Sequence, residues 1–193
     1  TYMRDPKAAP HFFGGFGEVL HSPAKNLVKI PASLDLDAVS AFPCGGPTVT
    51  RAFAYAGGLE KGELVVVQGT GSLGLFAIAY AKAQGCDVVA IGSSSNPKRN
   101  ELAKKLGVLE ILDFRKLDKG ARLVRIQELA KARGRGNGAD VAIETSGSPD
   151  AVPEAIELLR TRGRYLVPVQ YSNSGPFQKE PQLITFKPLR ITV

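Results

Sequence analysis

The chain has 193 residues, of which 44% are hydrophobic and 22% are charged. This is ordinary globular composition, and it excludes a chain that is disordered over most of its length. The sequence contains no apolar run of about 18 residues, as a membrane-spanning helix would need, and the polar first ten residues do not resemble a secretory signal. Cys44 and Cys86 are too few for a disulfide scaffold, so we expect a reducing, cytoplasmic compartment. Because the sequence has no membrane-spanning run, we also expect no membrane partner.

The charge balance favours an anionic ligand. Lysine and arginine number 25 against 18 acidic residues, giving a net charge of +7, which is typical of proteins that bind a nucleotide or nucleic acid. A basic, solvated surface is the open alternative. The nearest approaches to basic clusters are at 104–105 and 133–135, and no aromatic residues are interleaved with them. We therefore expect no nucleic-acid partner.

The first 43 residues differ in pattern from the rest. They contain five prolines and only short patterned stretches, which predict strands at 16–20 and 27–30 and a helix at 35–42. Such a segment buries little apolar surface by itself. It is predicted to be the edge of another domain, with a boundary between residues 43 and 44.

From residue 44 onward, helices and strands alternate. A helix is predicted at 48–56, ended by two glycines. The remaining predicted strands are 64–68, 88–91, 110–113, 140–144, 165–169 and 189–193, and the predicted helices between them are 72–84, 97–106, 121–133 and 149–160. This alternation predicts an α/β fold, a doubly wound parallel sheet (Rossmann) with helices on both faces. Residues 44–193 are therefore predicted to form a dinucleotide-binding domain.

A glycine-rich turn follows the first of these strands and opens a helix, which is the context that makes such a turn informative. Gly69 permits the tight turn, Gly71 lets the backbone approach a pyrophosphate, and Gly74 lets the helix pack close to the sheet. The free N–H groups at the start of the helix attract phosphate. A P-loop is excluded because apolar residues follow Gly74 instead of Lys and Ser or Thr. The candidate cofactor-binding residues here are Gly69, Gly71, Ser72, Leu73 and Gly74, and a glycine turn without a ligand is the alternative.

The end of the second strand bears on the choice of nicotinamide cofactor. NAD sites usually carry an acidic residue there, but this strand ends without one, since Asp87 stands at its beginning. The hydroxyls of Ser93 and Ser94 and the charges of Lys98 and Arg99 suit the 2′-phosphate of NADP. We therefore expect NADP(H) in preference to NAD(H). The alternative is that the two cations merely face solvent at the start of a helix.

Five segments carry a resemblance to a known family. They are 14–18 (GGFGE), 26–31 (NLVKIP), 44–48 (CGGPT), 65–74 (VVVQGTGSLG) and 139–147 (ADVAIETSG). In this order and spacing, they resemble the zinc-type alcohol dehydrogenases of the medium-chain dehydrogenase/reductase superfamily. The likeness runs over nearly the whole chain.

The resemblance implies hydride transfer between an alcohol or aldehyde and a nicotinamide cofactor, with a zinc ion polarising the substrate oxygen. Cys44 matches the last zinc ligand of the family, and Thr48 matches a catalytic residue close to the nicotinamide. Ser146 and Gly147 match a loop beside the cofactor, and Val169 matches a strand end that flanks the nicotinamide. The last strand resembles the edge through which family members pair, so a homo-oligomer is expected.

The sequence also departs from the family pattern. The first two zinc ligands and the four-cysteine structural lobe have no counterpart, and His11 and His21 match no ligand position. The resemblance therefore implies a fragment that binds cofactor but lacks zinc and activity, cut from a longer enzyme. Two other interpretations stay open: a zinc-free quinone or enoyl reductase of the same superfamily, against which Cys44 speaks, and a nucleotide-sensing module without chemistry.

Overall fold

The computed structural model describes residues 18–19, 22–169, 175–176 and 186–192. The chain divides into two compact units, residues 1–39 and 40–193. The predicted division between residues 43 and 44 stays a prediction. His11, His21 and most of the predicted strand at 16–20 lie outside the described residues.

The first unit contains little regular structure in its described part. A single 3-10 turn spans Ala24–Asn26, and helix α1 spans Leu36–Ser40. The strand predicted at 27–30 was wrong: this segment joins no strand ladder among the described residues, and Val28 is 88% exposed. A short apolar run predicts burial against something, whereas a strand also needs a hydrogen-bonded neighbour.

Helix α2 spans Phe42–Tyr55 and begins six residues before the predicted start. Pro43 fits its first turn, where a missing N–H costs nothing. Pro47 lies further inside, and the hydroxyl of Thr48 donates to the Cys44 carbonyl at 2.7 Å. The glycines and prolines of this segment disfavour a helix locally, so packing of its buried residues against the second unit's core overrides propensity.

Six parallel strands form one sheet in the order β3-β2-β1-β4-β5-β6. The strands are β1 Leu64–Gln68, β2 Asp87–Gly92, β3 Glu110–Asp113, β4 Ala139–Glu144, β5 Leu159–Leu166 and β6 Arg190–Thr192. The helices between them are α3 Ser72–Ala83, α4 Pro97–Lys105, α5 Lys119–Ala132 and α6 Ala151–Leu158. This confirms the predicted doubly wound α/β fold. No helix in the described part of the chain is both long and apolar enough to cross a bilayer.

Strand β5 begins six residues before the predicted start, and α6 is correspondingly shorter than predicted. The pairing of β4 with β5 shifts register between Ala139 and Val141, and Arg162 has a φ of 61°. These are the features of a bulge, which absorbs extra residues while the ladder continues. The polar, glycine-containing sequence there conceals the strand.

Both faces of the sheet are covered. Val65 and Val67 pack in a core with α2 and α3, whereas Leu64 and Val66 pack in a second core with α5 and α6. Because side chains alternate along a strand, Gln68 lies on the same face as Leu64 and Val66. That places a polar residue at the end of β1, beneath α5 and α6.

The order of the strands reverses between β1 and β4. From β1 the chain moves outward through β2 and β3, then returns to β4 on the other side of β1. In open α/β sheets, ligands bind in the crevice beyond the carboxyl ends of the strands at such a reversal. The fold therefore predicts a ligand site at the segments that follow β1 and β4.

Candidate functional site

The turn between β1 and α3 is built around three glycines with different surroundings. Gly69 has a φ of 112°, and its N–H donates to the Ile91 carbonyl at 2.8 Å. A Cβ on Gly74 would lie 2.1 Å from the Gly69 carbonyl oxygen, so α3 starts in direct contact with the turn. A Cβ on Gly71 would instead meet nothing within 4 Å.

Helix α3 begins with no side-chain cap. Its N-cap is Gly71, which has no side chain to accept a hydrogen bond from the N–H groups of the first turn, to which Ser72 and Leu73 belong. These groups and the helix dipole favour an anion. With open space beside Gly71, the turn has the shape and the polarity to hold a phosphate.

The loop after β4 is held against this turn. Glu144 is fully buried at the end of β4 and accepts hydrogen bonds from the Ser146 N–H and hydroxyl, both at 2.6 Å, and from the Gly147 N–H at 3.1 Å. The hydroxyl of Thr145 donates to the Gln68 carbonyl at 2.7 Å. The structure thus brings Ser146 and Gly147 beside Gly69.

Sequence reasoning missed the parts played by Glu144 and Thr145. The available signal was an acidic residue that ends an otherwise apolar strand and precedes Thr, Ser and Gly. A buried carboxylate needs donors, and successive backbone N–H groups of a tight loop supply them.

The loop after β2 is tied to the glycine turn by one side chain. Asn100 of α4 donates from Nδ2 to the Ser93 carbonyl at 3.0 Å and accepts a longer hydrogen bond from the Thr70 hydroxyl at 3.4 Å. Lys98 and Arg99 lie exposed in the first turn of α4, which contains no acidic residue. Cations are disfavoured at a helix N-terminus, so this arrangement favours a nearby anion.

An acidic residue also lies near this loop. Asp113, the last residue of β3, stands opposite Gly92 at the end of β2, and its Oδ1 accepts from the Arg115 N–H at 3.0 Å. Hydrogen bonding from Ser94, together with that from Arg115, lowers the pKa of Asp113. The predicted cofactor preference rested on the end of β2 alone and left this carboxylate out, because only the pairing of β2 with β3 brings it there.

A cavity of about 620 Å³ opens on the α5 and α6 side of the reversal point. It is lined by Gln68, Gly69, Ile91, Phe114, Asp118, Lys119, Arg122, Ser146, Ser148, Asp150, Ala151 and Glu154. Arg122 and Glu154 form a buried ion pair at 2.6 Å within this lining. The cavity begins where the glycine turn and the loop after β4 meet, so the three features form one continuous candidate site.

The segment from Cys44 to Thr48 lies at the same end of the domain. A Cβ on Gly45 would be 2.9 Å from the Phe76 ring, one turn into α3. Cys44 is exposed, and Thr48 is half-buried. Val169 is half-buried three residues beyond β5 and is not one of the described residues that line the cavity.

Comparison with known proteins identifies the family. A family model described as zinc-binding dehydrogenase matches residues 72–192. The chain belongs to the zinc-binding dehydrogenase family. This confirms the resemblance to the zinc-type alcohol dehydrogenases. The named relatives are dehydrogenases, so the family is one of oxidoreductases.

Named members of the family are similar over most of this chain. A 5-exo-hydroxycamphor dehydrogenase of Pseudomonas putida is 31% identical over 164 residues, which cover 84% of this chain and 44% of the relative. A sorbitol dehydrogenase of Halalkalibacterium halodurans is 34% identical over 152 residues, or 79% of this chain and 42% of the relative. The chain therefore spans less than half the length of these relatives.

Solved structures show the same relation. An alcohol dehydrogenase of Thermotoga maritima superposes with a TM-score of 0.75 at 30% identity, covering 86% of this chain and 44% of that one. A quinone oxidoreductase of Thermus thermophilus, solved also in complex with NADPH, superposes with a TM-score of 0.69 at 29% identity, covering 93% and 52%. Both likenesses therefore cover most of this chain.

The donor set for zinc in this family member is incomplete in the described residues. They contain no group of three His, Cys, Asp or Glu side chains that could hold a metal ion, and a catalytic zinc needs three protein ligands. Cys44 alone does not form such a site. Cys86, as expected of a small buried residue, is 1% exposed, and burial, followed by the nearby Glu63, raises the pKa of its thiol to about 11.

Proposed function

We propose that this chain is the NAD(P)-binding domain of a zinc-dependent alcohol dehydrogenase. In the whole protein, hydride passes between an alcohol or aldehyde and the nicotinamide. The observation that carries the proposal is the glycine turn, where an uncapped helix start and the open space beside Gly71 meet at the reversal point of the sheet. Relatives named as alcohol and sorbitol dehydrogenases support the reaction class.

The residues present fit a dinucleotide. The pyrophosphate would lie on the N–H groups of Ser72 and Leu73, with Gly71 leaving room for its approach. Ser146 and Gly147 would border the cofactor from the loop after β4. The nicotinamide supplies the hydride acceptor or donor, and Thr48 and Val169 are proposed to flank it. Cys44 would be a zinc ligand only in the whole protein, because the described residues offer no complete donor set.

We propose NADP(H) as the preferred cofactor. A 2′-phosphate near the start of α4 would offset the unfavourable placement of Lys98 and Arg99, and one charge-assisted hydrogen bond contributes about 1.5–3 kcal/mol. Ser93 would supply a further donor, and Ser94 would do so on releasing the hydrogen bond that its hydroxyl donates to Asp113. Asp113 opposes a phosphate with one negative charge, which hydrogen bonds from Ser94 and the Arg115 N–H stabilise, against the two positive charges of Lys98 and Arg99. The two exposed cations therefore outweigh it.

Titration of the 193-residue chain with NADPH and NADH tests this proposal. We expect NADPH to bind at least tenfold more tightly at low salt, which corresponds to about 1.4 kcal/mol, and the K98A/R99A double variant to lose that preference. The K104A/K105A variant is the matched control, since it removes two cations from the other end of the same helix. Equal binding of NADH and NADPH would contradict the NADP preference, and binding of neither would contradict the dinucleotide proposal.

A zinc-free quinone reductase is the second candidate function. It is favoured by the likeness to the Thermus thermophilus quinone oxidoreductase, which covers 93% of this chain. The substitution Cys44→Ser in the whole protein separates the two. Under the leading proposal it abolishes zinc-dependent alcohol oxidation, because one of the required ligands is lost. A quinone reductase that does not use zinc would keep its activity. The expected homo-oligomer and cytoplasmic location stay predictions.

A further inference from the structure

The loop that joins α5 to β4, residues 134–138, carries an exposed asparagine between two glycines. The side chain of Asn137 makes no hydrogen bond to any described residue. Gly136 before it has a φ of 84°, a conformation that favours glycine. Asparagine is one of the thermolabile residues of proteins. The loop therefore presents a solvated amide that no contact within the described residues restrains.

Gly138, the residue after this asparagine, is buried where β4 begins. A Cβ on Gly138 would lie 2.6 Å from the Arg160 backbone nitrogen and 2.7 Å from the Leu158 carbonyl oxygen, so a side chain does not fit there. The pairing of β4 with β5 starts one residue later, and the Gly138 N–H donates to no carbonyl of the described residues. The fold therefore requires glycine directly after Asn137 without holding the nitrogen of that glycine in the strand ladder.

The other asparagines in the described part of the chain lack this combination. Asn26 precedes a leucine, whose side chain crowds the backbone nitrogen. Asn96 precedes a proline, which has no N–H. Asn100 donates from Nδ2 to the Ser93 carbonyl at 3.0 Å, which restrains its amide. Of the described asparagines, Asn137 alone is followed by a residue without a Cβ to obstruct the approach of its nitrogen.

We propose that Asn137 is a site of spontaneous deamidation in the folded protein, with water as the co-reactant. Hydroxide removes the proton of the Gly138 N–H, and the nitrogen attacks Cγ of Asn137 to close a succinimide ring. The Cγ–Nδ2 bond then breaks, and the amide nitrogen leaves as ammonia with a proton from water. A further water molecule opens the ring at one of its two carbonyls. One opening gives aspartate, and the other gives isoaspartate, in which the main chain runs through the side-chain carbons and gains a CH₂ group.

The two products differ in their effect on the sheet. Isoaspartate lengthens the main chain directly before Gly138, which is enclosed by the backbone of Leu158 and Arg160 and has no room to shift. The extra CH₂ group should therefore weaken the pairing of β4 with β5 at its first residues. Aspartate leaves the main chain unchanged and adds only an exposed charge. Neither effect depends on a bound dinucleotide, so the inference is independent of the proposed function.

Incubation of the 193-residue chain at mildly alkaline pH, followed by tryptic digestion and mass spectrometry, tests the site. The peptide 136–160 contains Asn137 as its only amide side chain, so the mass gain from exchange of NH₂ for OH reports this residue alone. We expect Asn137 to deamidate at least about tenfold faster than Asn26 in the same sample, and folding to slow it by less than about tenfold relative to the chain in urea. Asn137→Gln is the matched control, because it keeps an exposed amide but needs a larger ring, and its peptide should keep its mass.

Urea denaturation of the aged samples tests the effect on β4. Chains that carry isoaspartate, identified by labelled methyl transfer from a protein isoaspartyl methyltransferase, should unfold at a lower urea concentration than the Asn137→Asp variant. The Asn137→Gln variant, aged in parallel, should keep its midpoint, which separates this lesion from other damage. Deamidation at Asn137 no faster than at Asn26, or slowed more than tenfold by folding, overturns the proposed site. Equal midpoints for the isoaspartate chains and Asn137→Asp overturn the effect on β4.

Discussion

Replacing Gly74 with alanine is expected to lower the free energy of unfolding by about 3 kcal/mol or more and to abolish dinucleotide binding. The new Cβ would lie 2.1 Å from the Gly69 carbonyl oxygen and 2.9 Å from the Thr145 hydroxyl. Rotation of a side chain cannot relieve a clash with a backbone oxygen, so α3 would have to move away from β1. Urea denaturation followed by circular dichroism measures the loss of stability.

Gly71→Ala provides the matched comparison in the same turn. Its Cβ would enter open space, and the φ of −72° suits any L-residue, so the change in stability should stay below about 1 kcal/mol, as for other helix N-cap substitutions. Dinucleotide affinity should nevertheless fall tenfold or more, because the methyl group occupies the approach to the helix start. Equal stability of the two variants would contradict the close packing of α3, and normal binding by Gly71→Ala would contradict the phosphate site.

The regular part of the fold follows from local signals in the sequence. Strands β1 and β3 have the predicted bounds, because an apolar run between glycines and charged residues leaves few alternatives. Helix α3 starts at the predicted Ser72 for a similar reason: the glycine turn before it has no role within a helix. Alternation of such elements then limits the topology to a parallel, doubly wound sheet.

Segments without a clear local signal were predicted less well. The start of β5 is polar and charged, yet Leu159 pairs with β4 at one end of this stretch and Arg164 pairs with β4 and β6 at the other. Its Arg164 extends to Glu63, an ion pair at 2.5 Å between residues far apart in the sequence. Tertiary pairing of this kind is invisible to a reading of periodicity, which registers only near neighbours.

The candidate site likewise has a part with a clear local signal in the sequence and a part without one. The glycine turn is local and was found from its pattern, whereas three further residues acquire their importance from neighbouring strands. Glu144 orders a loop beside β1, Asp113 approaches the end of β2, and Gln68 is fixed by α6. Each is an ordinary polar residue in the sequence. Only the pairing of distant strands shows that it stands at the edge where ligands bind.

The opposite edge of the sheet depends on a buried carboxylate. Asp140, near the amino end of β4, is 1% exposed. It accepts hydrogen bonds from the Leu64 N–H at 2.8 Å, from Arg135 Nε at 2.8 Å and from Arg160 Nε at 2.6 Å. One side chain thus joins the starts of β1, β4 and β5, so its replacement should affect stability without touching the candidate site.

Asp140→Asn is expected to lower the free energy of unfolding at pH 7 by about 3 kcal/mol, because both arginines lose their anion and one meets an NH₂ group. Burial by itself would raise the pKa of Asp140, but hydrogen bonds from Arg135, Leu64 and Arg160 outweigh it and lower the pKa. A carboxylate with a depressed folded-state pKa stabilises above its unfolded value of about 3.9, and this contribution is lost as the pH falls through the folded value. The stability gap between wild type and variant should therefore be constant from about pH 5 to 7 and close below about pH 4.

Urea denaturation at pH 7, 4 and 3 measures this gap. Asp150→Asn is the control, because Asp150 is exposed and its side chain does not cap α6, so stability should change by less than about 0.5 kcal/mol. Dinucleotide affinity of the folded Asp140→Asn fraction should equal that of the wild type, since Asp140 lies at the amino ends of the strands and the glycine turn at their carboxyl ends. A loss of affinity in Asp140→Asn would mean that the amino and carboxyl ends of the strands are coupled through the sheet. A stability change as small as that of Asp150→Asn would show that Asp140 and its two arginines do not stabilise the amino ends of the strands.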